Sequence, residues 1–188
     1  MENLISHNFD LSKLKNDNIF IIKNENIDKD ILEKEQILYK MIGTKKGVIF
    51  SKTVVNGIDF NTEIIEYLLR QNNIDKYIIF DNCFDWHTTN NVYINEILNN
   101  GANHQIMAIY NMTHPINIKQ NIISKIDYIF IFNNEFISNR KRLYNLYCYD
   151  IQISFDNFCL LMDNYTNRDK NDCIIIDRKE KKIYTHEF

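Results

Sequence analysis

Short apolar runs alternate along the chain with segments in which apolar residues recur every three or four positions. The first pattern is typical of buried strands, and the second of helices that cover a sheet. The runs that predict strands are residues 19–22, 47–51, 77–82, 105–111 and 127–132. Because these runs are apolar on both faces and separated by helical patterns, we predict a three-layer α/β fold with a mainly parallel central sheet.

The periodicity also predicts the helices and the ends of the chain. Helices are expected at 27–42, 60–69 and 93–98, after Pro115, and at 140–147 and 155–165. Residues 1–17 should form an extension or edge element. The tail, from about 151 to 188, should be a helix-plus-hairpin appendage that includes the apolar run "CIIID" at 173–177. No composition shift marks a linker, so we expect one domain over residues 1–188 with its core at about 18–150.

Composition narrows the class of protein. Of the 188 residues 45% are hydrophobic, enough to build a substantial core, and a net charge of -3 gives no global electrostatic case for nucleic acid. Only 4 Gly and 1 Pro, beside abundant Asn, Ile and Lys, suggest an A/T-rich genome. No apolar run approaches the roughly 20 residues of a membrane span. The polar N-terminus has no signal-peptide pattern, and the four cysteines are far apart, so we expect a soluble, reduced, intracellular protein.

Polar residues follow several predicted strands directly, where an open parallel sheet binds ligands. These residues are the segment Lys23 to Asp30, Ser51, Asp81 with Asn82, and Asn111. Asp81 ends an apolar strand, which is how P-loop NTPases place the carboxylate that holds the magnesium shell. The alternative is that Asp81 caps the turn after its strand.

Two further clusters could carry chemistry. Arg140, Lys141 and Arg142 form the most basic short run and are a candidate contact for DNA or a protein partner, although a solvated helix start has the same pattern. The segment "CFDWH" at 83–87 holds three metal-capable side chains. Without a second cluster of ligands we do not expect a zinc site there.

The order and spacing of six segments resemble those of the poxvirus-type genome-packaging ATPases of large nucleocytoplasmic DNA viruses, which belong to the FtsK/HerA-like P-loop class. The resemblance covers residues 19–177, and its most specific block is "DYIFIF" followed by "NRKRLY" and "FDNFC". It implies an oligomeric motor that uses ATP and Mg²⁺ to move double-stranded DNA into a capsid, in the host cytoplasm (viral factory) or the virion. The segments are "YIIFDNC", "NNGANHQIMAIYNMTHPI", "IISKIDYIFIF", "NRKRLYNLY", "FDNFCLLMDNYT" and "CIIID".

The phosphate-binding loop departs from the pattern of that class. The motif G-x-x-x-x-G-K-[ST] falls on Lys23 to Asp30, where Lys29 matches the lysine. Lys23 and Asp28 stand at the glycine positions, and Asp30 replaces the hydroxyl residue. Side chains there obstruct the backbone cradle, whose hydrogen bonds are worth about 1.5–3 kcal/mol each, and the carboxylates repel a triphosphate. We therefore expect the loss of normal ATP affinity, with Lys29 left as a solvated lysine.

Other positions that the resemblance marks have also changed. Asn82 stands where these ATPases carry the acid that activates water, and an amide cannot act as that base. Asn111 stands where the polar sensor is usually Gln. Asn103, and approximately Ile123, stand where arginines are expected, so a neighbouring subunit would lack the usual stabilisation of charge during transfer.

The sequence as a whole predicts a divergent member with a degenerate nucleotide site, acting as a non-catalytic paralogue or assembly subunit. Its candidate partners are further copies of itself, a catalytic paralogue and double-stranded DNA, and no membrane is expected. ATP and Mg²⁺, the latter on Asp81, are expected only if the site still works. Two alternatives stay open: an active packaging motor with an unorthodox loop, and a nucleic-acid- or protein-binding module that uses residues 140–142.

Overall fold

The computed structural model describes ten parts of the chain, which together form one eight-stranded sheet with helices. The described residues are 5–7, 9–22, 41–43, 45–51, 62–71, 74–82, 91–113, 118, 120–166 and 172–186. The strands are β1 (Ile5–His7), β2 (Asn18–Ile22), β3 (Lys46–Ser51), β4 (Lys76–Asp81), β5 (Ile106–Met112), β6 (Tyr128–Ile131), β7 (Cys173–Asp177) and β8 (Lys182–His186). The helices are α1 (Thr62–Arg70), α2 (Val92–Asn100), α3 (Gln120–Ile123), α4 (Ile137–Tyr147) and α5 (Phe155–Tyr165).

The sheet is mainly parallel, as predicted. Its strand order is β1-β8-β7-β6-β2-β5-β4-β3. Strands β2 to β6 are all parallel to their neighbours within that group, and β7 pairs antiparallel with both β6 and β8. Each of the five predicted strands lies within one residue of its observed bounds, because short apolar runs between polar turns mark buried strands clearly. The predicted helix at 27–42 lies almost wholly outside the described residues.

The two faces of the sheet are covered by different sets of buried residues. Met41 belongs to the cluster that contains Ile19 and Ile109. Buried residues of α1 to α5 belong to the cluster that contains Phe20, on the opposite face.

The N-terminal segment forms an edge element, as predicted. Strand β1 pairs parallel with β8 at one edge of the sheet. Phe9 then packs edge-on against Tyr128, Phe130 and Tyr184, with ring centroids 5.4, 6.3 and 5.1 Å away. Edge-to-face contacts of this kind add to the free energy of burying the rings. They hold the segment against the face of the sheet that carries Met41.

The predicted C-terminal hairpin is present, and it continues the central sheet. Strands β7 and β8 form the hairpin, with β7 beside β6 and β8 beside β1. The Nζ of Lys179, in the hairpin turn, lies 2.7 Å from a carboxylate oxygen of Asp17 and 3.1 Å from one of Asp127. These contacts tie the turn to the amino ends of β2 and β6. Among the helices that the structure describes, none is long and apolar enough to cross a membrane.

Candidate functional site at the carboxyl edge

Asp81 and Asn111 lie side by side at the carboxyl edge of the sheet. One in-register row crosses five strands and consists of Ser51, Asp81, Asn111, Ile21 and Phe130. Side chains alternate between the faces of a strand, so the four residues of this row on β4, β5, β2 and β6 share a face with Ile19, Ile79 and Ile109. Met41, which precedes β3 along the chain, belongs to the cluster on that same face. The two polar residues therefore lie on the face of the sheet that carries Met41.

The two side chains are hydrogen-bonded in a buried setting. Asn111 Nδ2 donates to Asp81 Oδ1 over 2.6 Å, and the residues are only 1% and 2% exposed. Within the described part of the chain, the other amide atom of Asn111, Oδ1, is buried without a hydrogen-bond partner. A buried acceptor without a donor is uncommon, because it loses water and gains nothing in exchange. The pair therefore leaves one acceptor available at this edge.

Asn82 links the ends of β4 and β5. Its backbone has a φ of 50°, a left-handed conformation that Asn adopts more readily than most residues. Its N–H donates to the carbonyl oxygen of Asn111 over 2.9 Å. Its side-chain oxygen accepts from the N–H of Thr113 at 3.0 Å and from the Thr113 hydroxyl at 3.3 Å. The side chain of Asn82 is thus engaged in holding two strand ends together.

Thr113 is the member of this group that sequence reasoning missed. It follows Asn111 by two residues, directly after β5. The rule that selected Asn111, a polar residue at the carboxyl end of a strand, applies equally to Thr113. Nothing in the sequence shows that its partner is Asn82, 31 residues earlier, because that contact depends on the pairing of β4 with β5.

The carboxylate and amide oxygens of this pair are ligands of the kind that Mg²⁺ prefers. Asp81 and Asn111 are therefore the residues that would hold a magnesium ion. A bound ion would supply charge neutralisation for phosphate oxygens. The predicted phosphate loop, Lys23 to Asp30 with Lys29 and Asp30, lies outside the described residues. Its preceding residue, Ile22, pairs with Met112 and Ile131, next to Asn111 on the same edge.

The two positions at which the resemblance expects arginine are remote from this edge. Asn103 is an exposed residue in the 3-10 turn that precedes β5, at the opposite end of that strand from Asn111. Ile123 is completely buried in α3. Neither residue contributes a charge to the site.

The basic run in α4 does not form one exposed patch. Arg140 is 7% exposed, its Nη1 lies 2.7 Å from Asp163 Oδ1 on α5, and its Nε donates to the carbonyl oxygen of Asn134. Lys141 is exposed and lies over the ring of Phe155, 4.3 Å from the centroid. Arg142 is also exposed. Arg140 therefore joins two helices, and only its two neighbours are presented to solvent.

The strand order defines a mainly parallel α/β domain, and this fold matches that of solved viral packaging NTPases. Among solved structures, the genome packaging NTPase B204 from Sulfolobus turreted icosahedral virus 2 in complex with ATP-gammaS matches with a TM-score of 0.65. It is 13% identical in sequence, and the match covers 92% of this chain and 97% of that one.

Two further structures give the same result. The complex of that NTPase with AMPPCP matches at 11% identity with a TM-score of 0.61, over 92% of this chain and 97% of that one. B204, the DNA-packaging ATPase from Sulfolobus Turreted Icosahedral Virus, matches at 12% identity with a TM-score of 0.61, over 93% and 98% of the two chains. No family model and no curated protein matches the sequence. At these identities the likeness is one of fold.

Proposed function

We propose that this chain is a viral genome-packaging-ATPase-like protein that keeps the nucleotide-binding fold but has lost most or all of its hydrolytic function. It would act over residues 1–188 as one unit, as a non-catalytic paralogue or assembly subunit in virion genome packaging. The shared fold with packaging NTPases over almost the whole chain supports this role. The FtsK/HerA-like, poxvirus-type relationship rests on the sequence segments described above.

The observation that carries the proposal is the state of Asn82. A hydrolytic site needs a base beside the water that attacks the phosphate, and a neutral amide cannot take that proton. The Asn82 oxygen also accepts both donors of Thr113, so the side chain points to β5 and serves the backbone there. The position that would supply the base therefore supplies a structural contact.

The short reach of Asn111 supports the same reading. The resemblance places a Gln here, whose side chain is one methylene longer. The Asn111 amide instead ends on the neighbouring carboxylate, 2.6 Å away, within the sheet. An amide held in this way donates to Asp81, so it is not free to donate to the terminal phosphate of ATP. With Asp28 and Asp30 in the loop and arginine absent at residues 103 and 123, every change lowers the stabilisation of phosphoryl transfer.

The test is nucleotide binding followed by hydrolysis. A fluorescent ATP analogue would be titrated with and without Mg²⁺ against the wild type, Lys29→Ala and the exposed control Lys13→Ala. We expect no saturable micromolar binding to any of them, and no Mg²⁺-dependent phosphate release. Hydrolysis that disappears in Lys29→Ala and Asp81→Asn but survives in Lys13→Ala would overturn the proposal.

That outcome would support a second candidate, an ATP-driven packaging motor with an unorthodox loop. The observation in its favour is that Asp81 and Asn111 lie side by side at the carboxyl edge and carry oxygen ligands of the kind that Mg²⁺ prefers. This candidate requires ATP-dependent oligomerisation and turnover stimulated by double-stranded DNA. Sedimentation with and without ATP separates it from a scaffold that assembles with itself or with a catalytic paralogue irrespective of nucleotide.

Contact with DNA would use the exposed cations of α4, Lys141 and Arg142. Because phosphate contacts make affinity salt-dependent, reversing both charges should weaken DNA binding and flatten its salt dependence by about two charges. Arg140→Gln is unsuitable for this test, since it would break the contact between α4 and α5. Unchanged binding by Lys141→Glu/Arg142→Glu would remove α4 from the DNA contact. In this proposal the protein works in the viral factory or the virion, away from membranes.

A further inference from the structure

His104 connects three elements at the amino end of the sheet, on the opposite side from Asp81. It closes the 3-10 turn between α2 and β5. Its Nδ1 lies 3.1 Å from the carbonyl oxygen of Leu69, in the last turn of α1, and its Nε2 lies 3.2 Å from Glu96 Oε1, on α2. One imidazole ring therefore joins the end of α1 to α2.

Both atoms that face the ring are hydrogen-bond acceptors. A carbonyl oxygen has no proton to give, and neither has an ionised carboxylate. Hydrogen bonds from Asn100 and His104 hold the pKa of Glu96 below its ordinary value, which keeps that carboxylate ionised. A neutral imidazole carries one N–H and can make only one of the two contacts. Both contacts form together only when both ring nitrogens carry a proton.

The charges around the ring act in both directions. The last carbonyls of α1 form the negative end of the helix, which favours a cation. Lys76, at the start of β4, is a second cation near this end of α1. It donates to the carbonyl oxygen of Gln71, just past the helix. On α1 itself, Arg70 pairs with Glu66 at 3.2 Å, and Glu66 also accepts from the hydroxyl of Tyr93 on α2. The carboxylate in contact with the His104 ring is that of Glu96, on α2.

We propose that His104 is a pH-sensitive latch that fastens the C-terminal end of α1 to α2. The latch is closed when the ring is doubly protonated and Glu96 is ionised. It opens at higher pH, when the ring gives up one of its two protons, because a neutral imidazole can serve only one of the two acceptors. It also weakens in acid, once the Glu96 carboxylate is neutralised, and this happens below the ordinary glutamate range because the pKa of Glu96 is lowered. This inference does not depend on the proposed function.

The test compares thermal unfolding of the wild type, His104→Gln and His104→Arg at pH 5.5 and pH 8.5. Glutamine is always neutral, and arginine is always charged. We expect the wild type to exceed His104→Gln in Tm by about 2–4 °C at pH 5.5, and by less than about 1 °C at pH 8.5. The difference between His104→Arg and His104→Gln should not change with pH. If the difference in Tm between the wild type and His104→Gln were equal at both pH values, the proposal would be wrong.

A measurement on the wild type alone keeps the test independent of how well the variants fold. Nitrogen NMR shifts of the His104 ring report whether each nitrogen carries a proton. At pH 5.5 we expect two protonated nitrogens, and slower amide exchange in α1 than at pH 8.5 once the intrinsic pH dependence is removed. A ring with one bare nitrogen at pH 5.5, or α1 exchange that does not change, would contradict the proposal.

Discussion

The side-chain amide of Asn111 donates a 2.6 Å hydrogen bond to the carboxylate of Asp81 across two neighbouring parallel strands, with both residues almost fully buried. The bond is possible because β4 and β5 place the two residues in register. A buried carboxylate needs such donors, since burial removes the water that would otherwise stabilise its charge.

Asn111→Leu should therefore destabilise the fold. The carboxylate of Asp81 would lose a donor in a site with almost no access to water, at a cost of about 1–3 kcal/mol. Urea denaturation measures the change in the free energy of unfolding. Asn145→Leu, at an exposed position on α4, is the matched control and should change it little. Equal effects of the two substitutions would show that the Asp81 contact has no energetic role.

A series at Asn82 should separate its backbone role from its side-chain role. Asn82→Ala loses the two contacts from Thr113, at about 0.5–1.5 kcal/mol each, and places an alanine in a left-handed conformation that costs about 1 kcal/mol more. Asn82→Gly keeps the conformation and should lose only the contacts. Asn82→Asp retains the acceptor for Thr113, but it places a second carboxylate where Asn82 Nδ2 now lies 3.5 Å from Asp81 Oδ1, so it should also be less stable than the wild type. The free energy of unfolding is measured in urea for the three variants. A smaller loss in Asn82→Ala than in the other two would contradict this account.

Arg140→Ala should cost about 1–3 kcal/mol, because hydrogen bonds from a charged group to both Asp163 and the Asn134 carbonyl are lost. The lower half of that range is the better expectation, since Asp163 is 52% exposed and partly screened by water. Arg142→Ala removes an exposed charge from the same helix and should change stability little. The two variants are compared by thermal unfolding, and a smaller loss in Arg140→Ala than in Arg142→Ala would be inconsistent with the structure.

The thiol of Cys148 should resist alkylation. Burial, and the Asp150 carboxylate after it, raise the pKa of Cys148 to about 12, so at pH 8 the reactive thiolate is almost absent. Cys159 is only partly buried and should react before Cys148. Peptide mass spectrometry after brief treatment with iodoacetamide checks the order of labelling. Because an unfolded thiol ionises near 9, the stability contributed by Cys148 should be complete below pH 9 and decline as the pH rises towards 12.

Much of the fold could be predicted because it depends on local patterns. The apolar runs gave the strands, and the bounds of Phe155–Tyr165 and Cys173–Asp177 agree with the structure residue for residue. The place of the C-terminal hairpin could not be predicted, since nothing in a strand's own sequence names its neighbour. The antiparallel pairing of β6 with β7, which sets Ile129 opposite Ile176, shows that the hairpin extends the sheet.

The candidate site was predicted as a set of positions, but its contacts were not. The rule for carboxyl ends found Asp81 and Asn111, whereas the partner of Asn82 depends on a backbone twist at one residue. The burial of Arg140 could have been found. It shares a helical stripe with Leu143 and Tyr147, both buried, so its spacing of three and seven residues already placed it inward. A charged residue was assumed to be exposed, and the periodicity indicated otherwise.

The pairing of Ile5 with Ile183 joins the two ends of the described chain at one edge of the sheet. On the ribosome, β1 is made first but has no neighbour until residues 182–186 have emerged. The contact between the ring of Phe9 and Tyr184 of β8 also cannot form until then. The edge of this sheet is therefore completed last, and a nascent chain that lacks it would offer an open strand to other chains.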